Sequence, residues 1–223
     1  MKRALVLRHH DEDRPGLIGD AFEARGFELR VAMMNAHSET PTLEGVDVLV
    51  ILGSKCAVYD REVEAAWFGR ELALMADAAE RAIPILGICF GAQALCRLHG
   101  GDVSRADDGE IGWFDVDVVS PVGLPSGPWF EFHFDACSLP SHAEVWATSP
   151  RAVQAFALGR DVGVQFHPEI DEIQLAGWLA ADPEESRDLG LDAGALLAQT
   201  ARETPASRLR AAALVDIFLA RNE

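Results

Sequence analysis

The sequence predicts an α/β protein: a single three-layer domain with a mostly parallel central sheet plus an antiparallel extension. In the first half of the chain, strand-like apolar runs alternate with helical patterns, as a parallel sheet requires. In the second half, short strand-like runs follow one another with no room for helices between them, which favours antiparallel pairing. The 223 residues, 49% of them hydrophobic, suffice for one large domain with a substantial core.

The elements of the first half follow from apolar periodicity and turn residues. Residues 46–52, VDVLVIL, are nearly all β-branched or Leu, a composition typical of a strand buried on both faces. Gly26 marks the end of the first predicted helix. The predicted strands are residues 4–7, 27–31, 46–52 and 83–88, and the predicted helices are residues 17–25 and 62–81. This alternation predicts a flavodoxin-like arrangement.

The second half of the chain changes character. The predicted strands are residues 113–119, 129–134, 144–148, 153–158 and 162–166, which we assign to the antiparallel extension. Pro and Gly residues between positions 121 and 128 predict an exposed loop. From about residue 171 to residue 223, segments rich in Leu, Ala and Glu predict two or three helices, the last at about residues 207–221. No linker or repeat divides the chain, so residues 1–223 are predicted to form one domain.

Composition and charge exclude several classes of function. The formal net charge is −17, which argues against nucleic acid as a partner because phosphate binding needs clustered Lys and Arg. The longest uncharged run, residues 82–96, is shorter than the roughly 18 residues of a membrane span. The apolar run at residues 4–7 ends at Arg8, so we expect no secretory signal. Four cysteines without a CxxC spacing indicate a reducing, cytoplasmic location rather than disulfides or zinc.

One segment carries the pattern of a reactive nucleophile. Residues 83–93 read IPILGICFGAQ, so a predicted buried strand runs into Cys89 and good helix formers follow it. Gly87 and Gly91 stand two residues on either side of Cys89, the spacing of a sharp strand-to-helix nucleophile elbow. A cysteine at a helix N-terminus gains thiolate character from the aligned backbone N–H groups. On this pattern alone, a buried structural cysteine explains the segment equally well.

A second motif favours the catalytic interpretation. Residues 162–169 read VGVQFHPE, a strand that ends in His167, Pro168 and Glu169. Residues i and i+2 of an extended segment share a face, and proline keeps its preceding residue extended, so His167 and Glu169 point the same way. A carboxylate beside an imidazole fixes its tautomer and stabilises the imidazolium. Together with the elbow cysteine, this motif predicts a Cys-His-acid triad for nucleophilic catalysis.

The two motifs, LGICFGAQ and VQFHPE, resemble those of the class I (triad) glutamine amidotransferases, in particular the GMP-synthase-like glutaminase branch. The resemblance extends over roughly residues 5–170. It implies Cys89 as the nucleophile, His167 as general base and then acid, and Glu169 as the orienting acid. It also implies the reaction: the side-chain amide of glutamine is attacked, ammonia leaves for an unidentified acceptor, and a γ-glutamyl thioester is hydrolysed to glutamate.

The resemblance also implies an oxyanion hole. Gly53 and Ser54 match the family's turn after a strand, where one backbone N–H helps to form that hole. The matching donor is the N–H of Ser54, and the second donor is the N–H of Phe90. The sequence departs from the family pattern here, because Ser54 and Lys55 replace Gly-Pro.

Other matches concern the substrate. Gln93 matches a family residue that helps to hold glutamine. Residues 132–135, FHFD, resemble a His-Gly-Asp segment whose backbone contacts the amino-acid end of the substrate, which implies Phe134 and Asp135 there. Phe134 replaces the family's Gly. Residues 110–113, EIGW, look like a segment of the GMP-synthase-like branch, but the sequence assigns them no chemical role.

The remaining candidates are interpreted structurally. Residues 9–13, HHDED, contain possible metal ligands, but neighbouring residues of an extended chain point to opposite faces, so we predict a solvated loop and no metal site. Bulky aromatic residues elsewhere lie among apolar neighbours. We predict core or interface positions for Trp67, Trp146 and Trp178, and core rather than active-site positions for Trp113, Trp129 and Phe132.

Several functions stay open. The leading hypothesis is a stand-alone glutaminase or amidotransferase that acts on glutamine and supplies ammonia to a separate synthase subunit. The alternative is a hydrolase of γ-glutamyl peptides or conjugates with the same triad. A stress-protein-type cysteine-elbow protein is disfavoured because Phe90, not His, follows Cys89, and a non-catalytic regulatory subunit is disfavoured because the triad is complete. No Gly-rich phosphate loop is present in the sequence, so we expect no nucleotide and no other cofactor.

Overall fold

Strands and helices alternate along the first half of the chain, and strands dominate the part that follows. The computed structural model describes residues 1–223, apart from the side chain of Glu185. The strands are β1 (Lys2–Arg8), β2 (Phe27–Met33), β3 (Val48–Ile51), β4 (Ile85–Ile88), β5 (Asp102–Phe114), β6 (Asp117–Val118), β7 (Trp129–Ser138), β8 (Glu144–Thr148), β9 (Val153–Leu158) and β10 (Asp161–Val164). The helices are α1 (Gly16–Glu23), α2 (Arg61–Val63), α3 (Gly69–Glu80), α4 (Phe90–Leu98), α5 (Glu172–Ala181), α6 (Pro183–Asp188) and α7 (Ala193–Ala220).

The main sheet is parallel on one side and antiparallel on the other. Its strand order is β2-β1-β3-β4-β10-β9-β8-β6. Strands β2, β1, β3, β4 and β10 run parallel to their neighbours, and β9, β8 and β6 continue the sheet antiparallel from β10. The predicted fold class, a mostly parallel sheet with an antiparallel extension, is therefore confirmed. Strand β10 joins the two parts, because it pairs parallel with β4 and antiparallel with β9.

A second, two-stranded sheet corrects part of the prediction. The sequence assigns residues 129–134 to the antiparallel extension, but β7 pairs with β5 in a separate sheet. The predicted strand 113–119 is wrong as a single strand, since its first two residues end the long strand β5, while residues 117–118 form β6, which belongs to the predicted antiparallel extension. Acidic residues and two glycines weaken the β-propensity of β5, and its register shifts between Arg105 and Glu110. Its pairing with β7 therefore decides the structure of this segment.

Helices cover both faces of the main sheet and form two apolar cores. Successive residues of β3 point to opposite faces, so Val50 belongs to one core and Leu49 to the other. On one face, the first core includes Phe218 of α7, which packs on α1. On the other face, the second core includes Met75 of α3 and Leu95 of α4. The nearly continuous apolar run predicted for β3 thus reflects burial on both faces, as the sequence indicates.

Two helices differ from their predictions. The predicted helix 62–81 is interrupted by a π-helical segment, Glu64–Phe68, between α2 and α3. The last helix begins at residue 193, not 207, and contains Pro205 in its interior. A proline usually breaks a helix, but Thr200 and Ser207 are buried on either side of it and tertiary packing keeps α7 continuous. Throughout the part of the chain that the structure describes, no helix is both long and apolar enough to cross a membrane.

Truncation of Phe218 tests how strongly α7 holds the fold. This side chain is fully buried and its ring centroid lies 6.2 Å from that of Phe22 in α1. We expect Phe218→Ala to lower the free energy of unfolding by about 3–5 kcal/mol, because it removes a buried ring and leaves a cavity. Leu209→Ala, on the same helix but with Leu209 73% exposed, should change it by less than about 0.5 kcal/mol. Urea unfolding measures both, and equal losses would contradict this packing.

Candidate active site

Neighbouring parallel strands deliver the candidate residues to one edge of the main sheet. His9 directly follows β1, Gly53 follows β3 after one intervening residue, Cys89 directly follows β4, and His167 lies shortly after β10. The carboxyl ends of parallel strands form a crevice, which is where α/β proteins usually bind ligands. A cavity of about 390 Å³ opens at this edge, and Gly53, Cys89 and His167 line it.

The turn at Cys89 is a strained elbow. Cys89 has φ 51° and ψ −104°, a conformation that costs a non-glycine residue of the order of 1–3 kcal/mol. A Cβ at Gly87 would overlap the backbone of Gly91, and a Cβ at Gly91 would overlap the carbonyl of Ile51. Only glycine fits at both positions, as the sequence spacing predicts. The backbone N–H of Cys89 donates to the carbonyl of Val164 at 2.8 Å, which ties the elbow to β10.

The imidazole of His167 lies between a carboxylate and the cysteine. Its Nδ1 is 2.7 Å from Oε1 of Glu169, and both side chains are buried. Burial by itself lowers the pKa of His167, but the Glu169 carboxylate and the charge and hydrogen bond of Cys89 outweigh burial and raise this pKa well above its usual value. Because Glu169 occupies Nδ1, Nε2 is left for the cysteine. An imidazole that is held by a carboxylate beside a cysteine can take the proton of the thiol and so generate the nucleophilic thiolate.

The turn after β3 lies against both of these side chains. A Cβ added to Gly53 would stand 2.9 Å from Cε1 of His167 and 3.7 Å from Cβ of Cys89. The hydroxyl of Ser54 accepts a hydrogen bond from the N–H of Cys56 at 3.2 Å and so stabilises the turn. Phe90 is the first residue of α4, and its N–H belongs to the free donors at the helix N-terminus.

One wall of the cavity contains polar side chains and also charged side chains of opposite sign, Asp135 and Arg105. Tyr59 donates its hydroxyl hydrogen to Oδ1 of Asp135 at 2.9 Å. The guanidinium of Arg105 lies 4.6 Å from the ring centroid of Phe134. Nε2 of Gln93 donates to Oε1 of Gln165 at 3.3 Å. The predicted site residues that line the cavity are Gly53, Ser54, Cys89, Gln93, Phe134, Asp135 and His167, while Phe90 and Glu169 are buried behind its wall.

Comparisons with known proteins decide the family. The family profile described as "Glutamine amidotransferase class-I" matches residues 16–174. The chain belongs to this family. A solved glutamine amidotransferase from Thermotoga maritima has a TM-score of 0.88 and 28% sequence identity, covering 97% of this chain and 98% of that one.

Curated relatives of this amidotransferase-family chain are much longer proteins. The GMP synthase [glutamine-hydrolyzing] of Listeria innocua is 34% identical over 150 residues, which cover 60% of this chain and 27% of that protein. The enzyme of the same name from Aeropyrum pernix is 32% identical over 187 residues, which cover 75% of this chain and 36% of that protein. The chain thus spans between a quarter and two fifths of the length of these relatives.

Trp178 is a site residue that the sequence prediction missed. The prediction places it in the core or an interface, but it lines the cavity, 5.0 Å from the ring of His167 between centroids. Phe132, predicted as core, lines the cavity as well. Both lie far in sequence from Cys89, so no local pattern connects them to it. Trp67, Trp113, Trp129 and Trp146 are buried, in agreement with their predictions.

The prediction of a solvated loop at residues 9–13 is wrong for its two ends. His9 is 3% exposed and Asp13 is 7% exposed. The loop folds back on itself, because Oδ2 of Asp13 accepts from the N–H of His10 at 2.9 Å, and Oδ1 of Asp13 accepts from Nε1 of Trp178 at 3.1 Å. Among the residues described, no group of three or more His, Cys, Asp or Glu side chains is arranged to hold a metal ion.

A buried charged cluster supports the strand that carries Asp135. Nε2 of His133 lies 3.2 Å from Glu110 and 3.3 Å from Glu131. Burial lowers the pKa of His133, but its bonds to both carboxylates raise it to about 10. Burial raises the pKa of Glu131 to about 7. Glu110 comes from the EIGW segment, so the structure connects that segment to His133. The i, i+2 spacing of Glu131, His133 and Asp135 is the sequence signal for this shared face.

Replacing Glu131 by Gln tests this cluster. The folded-state pKa of Glu131, about 7, lies above its usual 4.5, so the folded state holds the proton more tightly and stability falls as pH rises through this range. Glu131→Gln cannot ionise. We therefore expect its free energy of unfolding to fall less steeply than that of the wild type between about pH 5 and 7.

Urea unfolding at several pH values between about 5 and 7 measures the slope of the free energy of unfolding against pH. Glu80→Gln, which neutralises an exposed carboxylate at the end of α3, is the matched control for the change in net charge. The control should keep the wild-type slope. A slope for Glu131→Gln equal to that of the control would contradict the raised pKa.

Proposed function

We propose that this chain hydrolyses the side-chain amide of glutamine through a γ-glutamyl thioester on Cys89, and releases glutamate and ammonia. Membership of the class I glutamine amidotransferase family supports the reaction class. The observation that carries the proposal is the strained Cys89 elbow at the same sheet edge as the His167–Glu169 pair, whose Nδ1 and Oε1 atoms lie 2.7 Å apart.

The proposed mechanism has two stages, the formation of the thioester on Cys89 and its hydrolysis. The sulfur of Cys89 attacks the carboxamide carbon, and the negative charge that develops on the oxygen is stabilised by the N–H groups of Ser54 and Phe90. His167 takes the proton of the Cys89 thiol as the sulfur attacks, which its raised pKa favours, and then transfers this proton to the nitrogen that leaves as ammonia. It then takes a proton from the water that hydrolyses the thioester. Glu169 keeps the imidazole oriented throughout.

The cavity wall suits the amino-acid end of glutamine. Asp135 offers a carboxylate to the α-ammonium group, and Arg105 offers a guanidinium to the α-carboxylate. Gln93, in the first turn of α4, also lines the cavity and is the candidate to hold the side chain that carries the amide. Opposite charges on the protein thus match the zwitterionic end of the substrate.

The names of the relatives bear on which protein uses the ammonia. The relatives from Listeria innocua and Aeropyrum pernix are named as synthases that hydrolyse glutamine. This chain covers only 27% and 36% of those proteins. We propose that the ammonia is used by a separate synthase subunit.

One feature of the cavity favours a second candidate, a γ-glutamyl conjugate hydrolase. Trp178, Leu179, Ala181 and Ser186 form part of the cavity wall and follow the family-matched residues 16–174. The resulting volume of about 390 Å³ leaves room for a leaving group larger than ammonia. The products distinguish the two candidates, because this reaction releases an amine with the glutamate.

Removal of the proposed nucleophile tests the function directly. We expect Cys89→Ser to lower glutamine hydrolysis by roughly 10³-fold or more, because a hydroxyl is a far weaker nucleophile at neutral pH. Cys96→Ser is the matched control: Cys96 is buried on the same helix, and its Sγ contacts the carbonyl of Asp102 at 3.4 Å. The control should keep the wild-type rate. Steady-state release of glutamate and ammonia, with and without EDTA, measures both.

A panel of substrates separates the two candidate functions. Ammonia release from glutamine at a higher kcat/KM than amine release from γ-glutamyl anilides supports the glutaminase, and the reverse order supports the conjugate hydrolase. Wild-type hydrolysis that survives in Cys89→Ser would overturn both. An electrophilic glutamine analogue that fails to label Cys89 in the wild type would also overturn both.

A further inference from the structure

We propose that His9 and Glu71 are a positioning pair that holds the Gly53–Ser54 peptide in the orientation that the oxyanion hole needs. The inference rests on the proposed function. Nδ1 of His9 lies 2.7 Å from the carbonyl oxygen of Gly53, and Nε2 lies 3.0 Å from Oε2 of Glu71. The side chain of His9 is 1% exposed and that of Glu71 is fully buried.

Three structural elements confine the imidazole of His9. It follows β1, and its ring centroid lies 5.0 Å from that of Trp67, in the π-helical segment, and 5.0 Å from that of Phe90, in α4. Glu71 reaches it from the first turn of α3. The ring is thus packed by apolar groups and has hydrogen-bond partners at both nitrogens, so its direction is fixed.

The positions of the protons follow from these partners. A carbonyl oxygen only accepts, so Nδ1 of His9 carries a hydrogen and donates it to Gly53. The carboxylate of Glu71 accepts the hydrogen of Nε2, which favours the doubly protonated ring. Burial lowers the pKa of His9, but the charge and hydrogen bond of Glu71, the bond to Gly53 and the charge of Asp13 together raise it. A charged donor therefore holds the carbonyl of Gly53.

The planar peptide transmits this constraint to Ser54. In a trans peptide the C=O and N–H groups point in opposite directions. The carbonyl of Gly53 points toward the buried His9, so the N–H of Ser54 points toward the other side. The Cα of Gly53 is next to the reacting groups, since a Cβ there would stand 2.9 Å from Cε1 of His167. Gly53, Ser54, Cys89 and His167 all line the same cavity, so we infer that the N–H of Ser54 points into it.

Packing alone does not explain a charged pair at this place. The surroundings of His9 are aromatic, and an apolar side chain of similar size would avoid the desolvation of two charges. Neither Ser54 nor Lys55 has the fixed φ of proline that would stiffen the turn from within. The hydrogen bond from His9 to the carbonyl of Gly53 restricts the turn instead.

Two double variants, one without and one with a hydrogen-bond donor toward the carbonyl of Gly53, test the proposal. His9→Phe/Glu71→Met fills the site with apolar groups, leaves no buried charge, and donates nothing to Gly53. His9→Asn/Glu71→Met places an amide nitrogen near the position of Nδ1, so it keeps the donor. His99→Phe is the control, because it removes another histidine–carboxylate contact, 2.9 Å from Asp161, at the far end of α4.

We expect the Phe/Met variant to lower kcat for glutamine by roughly 10- to 100-fold, with KM changed by less than about twofold, because a misplaced donor weakens binding of the transition state only. The Asn/Met variant should recover most of the lost kcat. Alkylation of Cys89 by iodoacetamide forms no oxyanion, so its rate should equal that of the wild type in both variants. His99→Phe should keep the wild-type kcat.

Different results would contradict the positioning role of His9 and Glu71 and the proposed function of the chain. Wild-type kcat in the Phe/Met variant, in a chain that hydrolyses glutamine, would overturn the positioning role alone. Equal loss of kcat and of alkylation rate in both double variants would assign the pair a packing role and also overturn it. A wild type that turns over no γ-glutamyl substrate would overturn the proposed function, and the positioning role with it.

Discussion

The close approach of α4 to β3 and β4 is the constraint on which the candidate site depends. The backbones meet at Gly87 and Gly91, where a Cβ would overlap a neighbouring backbone. This contact forces the sharp turn at Cys89 and sets its distance from the end of β3. The turn that contains Gly53 therefore lies beside Cys89, and a Cβ added to Gly53 would stand 3.7 Å from Cβ of Cys89. Parallel pairing of β4 with β10 brings His167 to the same place.

Buried histidine–carboxylate contacts recur around this crevice, and their common effect is orientation. His167 is held by Glu169, His9 by Glu71, and His133 by Glu110 together with Glu131. A buried ion pair contributes little net stability, because desolvation of the charges offsets their attraction. Each pair instead fixes a ring or a carbonyl next to the cavity. The main stabilisation comes from the two apolar cores on either face of the sheet.

Local patterns in the sequence predict the parts of the molecule that local physics determines. The buried strands β3 and β4 follow from continuous apolar runs, and the elbow follows from the glycine spacing around Cys89. Contacts between distant segments are invisible to such patterns. Strand β5 depends on pairing with β7, and Trp178, which lies 89 positions after Cys89 in sequence, reaches the cavity from α5. His9 lies 62 positions from Glu71, so neither residue predicts the other.

Acid-quenched mass spectrometry during turnover of glutamine tests the central claim most directly. The account predicts that the wild-type chain carries a covalent adduct with the mass of glutamine minus ammonia, that peptide mapping locates it on Cys89, and that it disappears when the glutamine is consumed. The thioester is the covalent intermediate of the proposed mechanism that has already lost ammonia, so it accounts for this mass. Hydrolysis of glutamine without this adduct under conditions in which deacylation is rate-limiting, or with the adduct on another residue, would contradict the account.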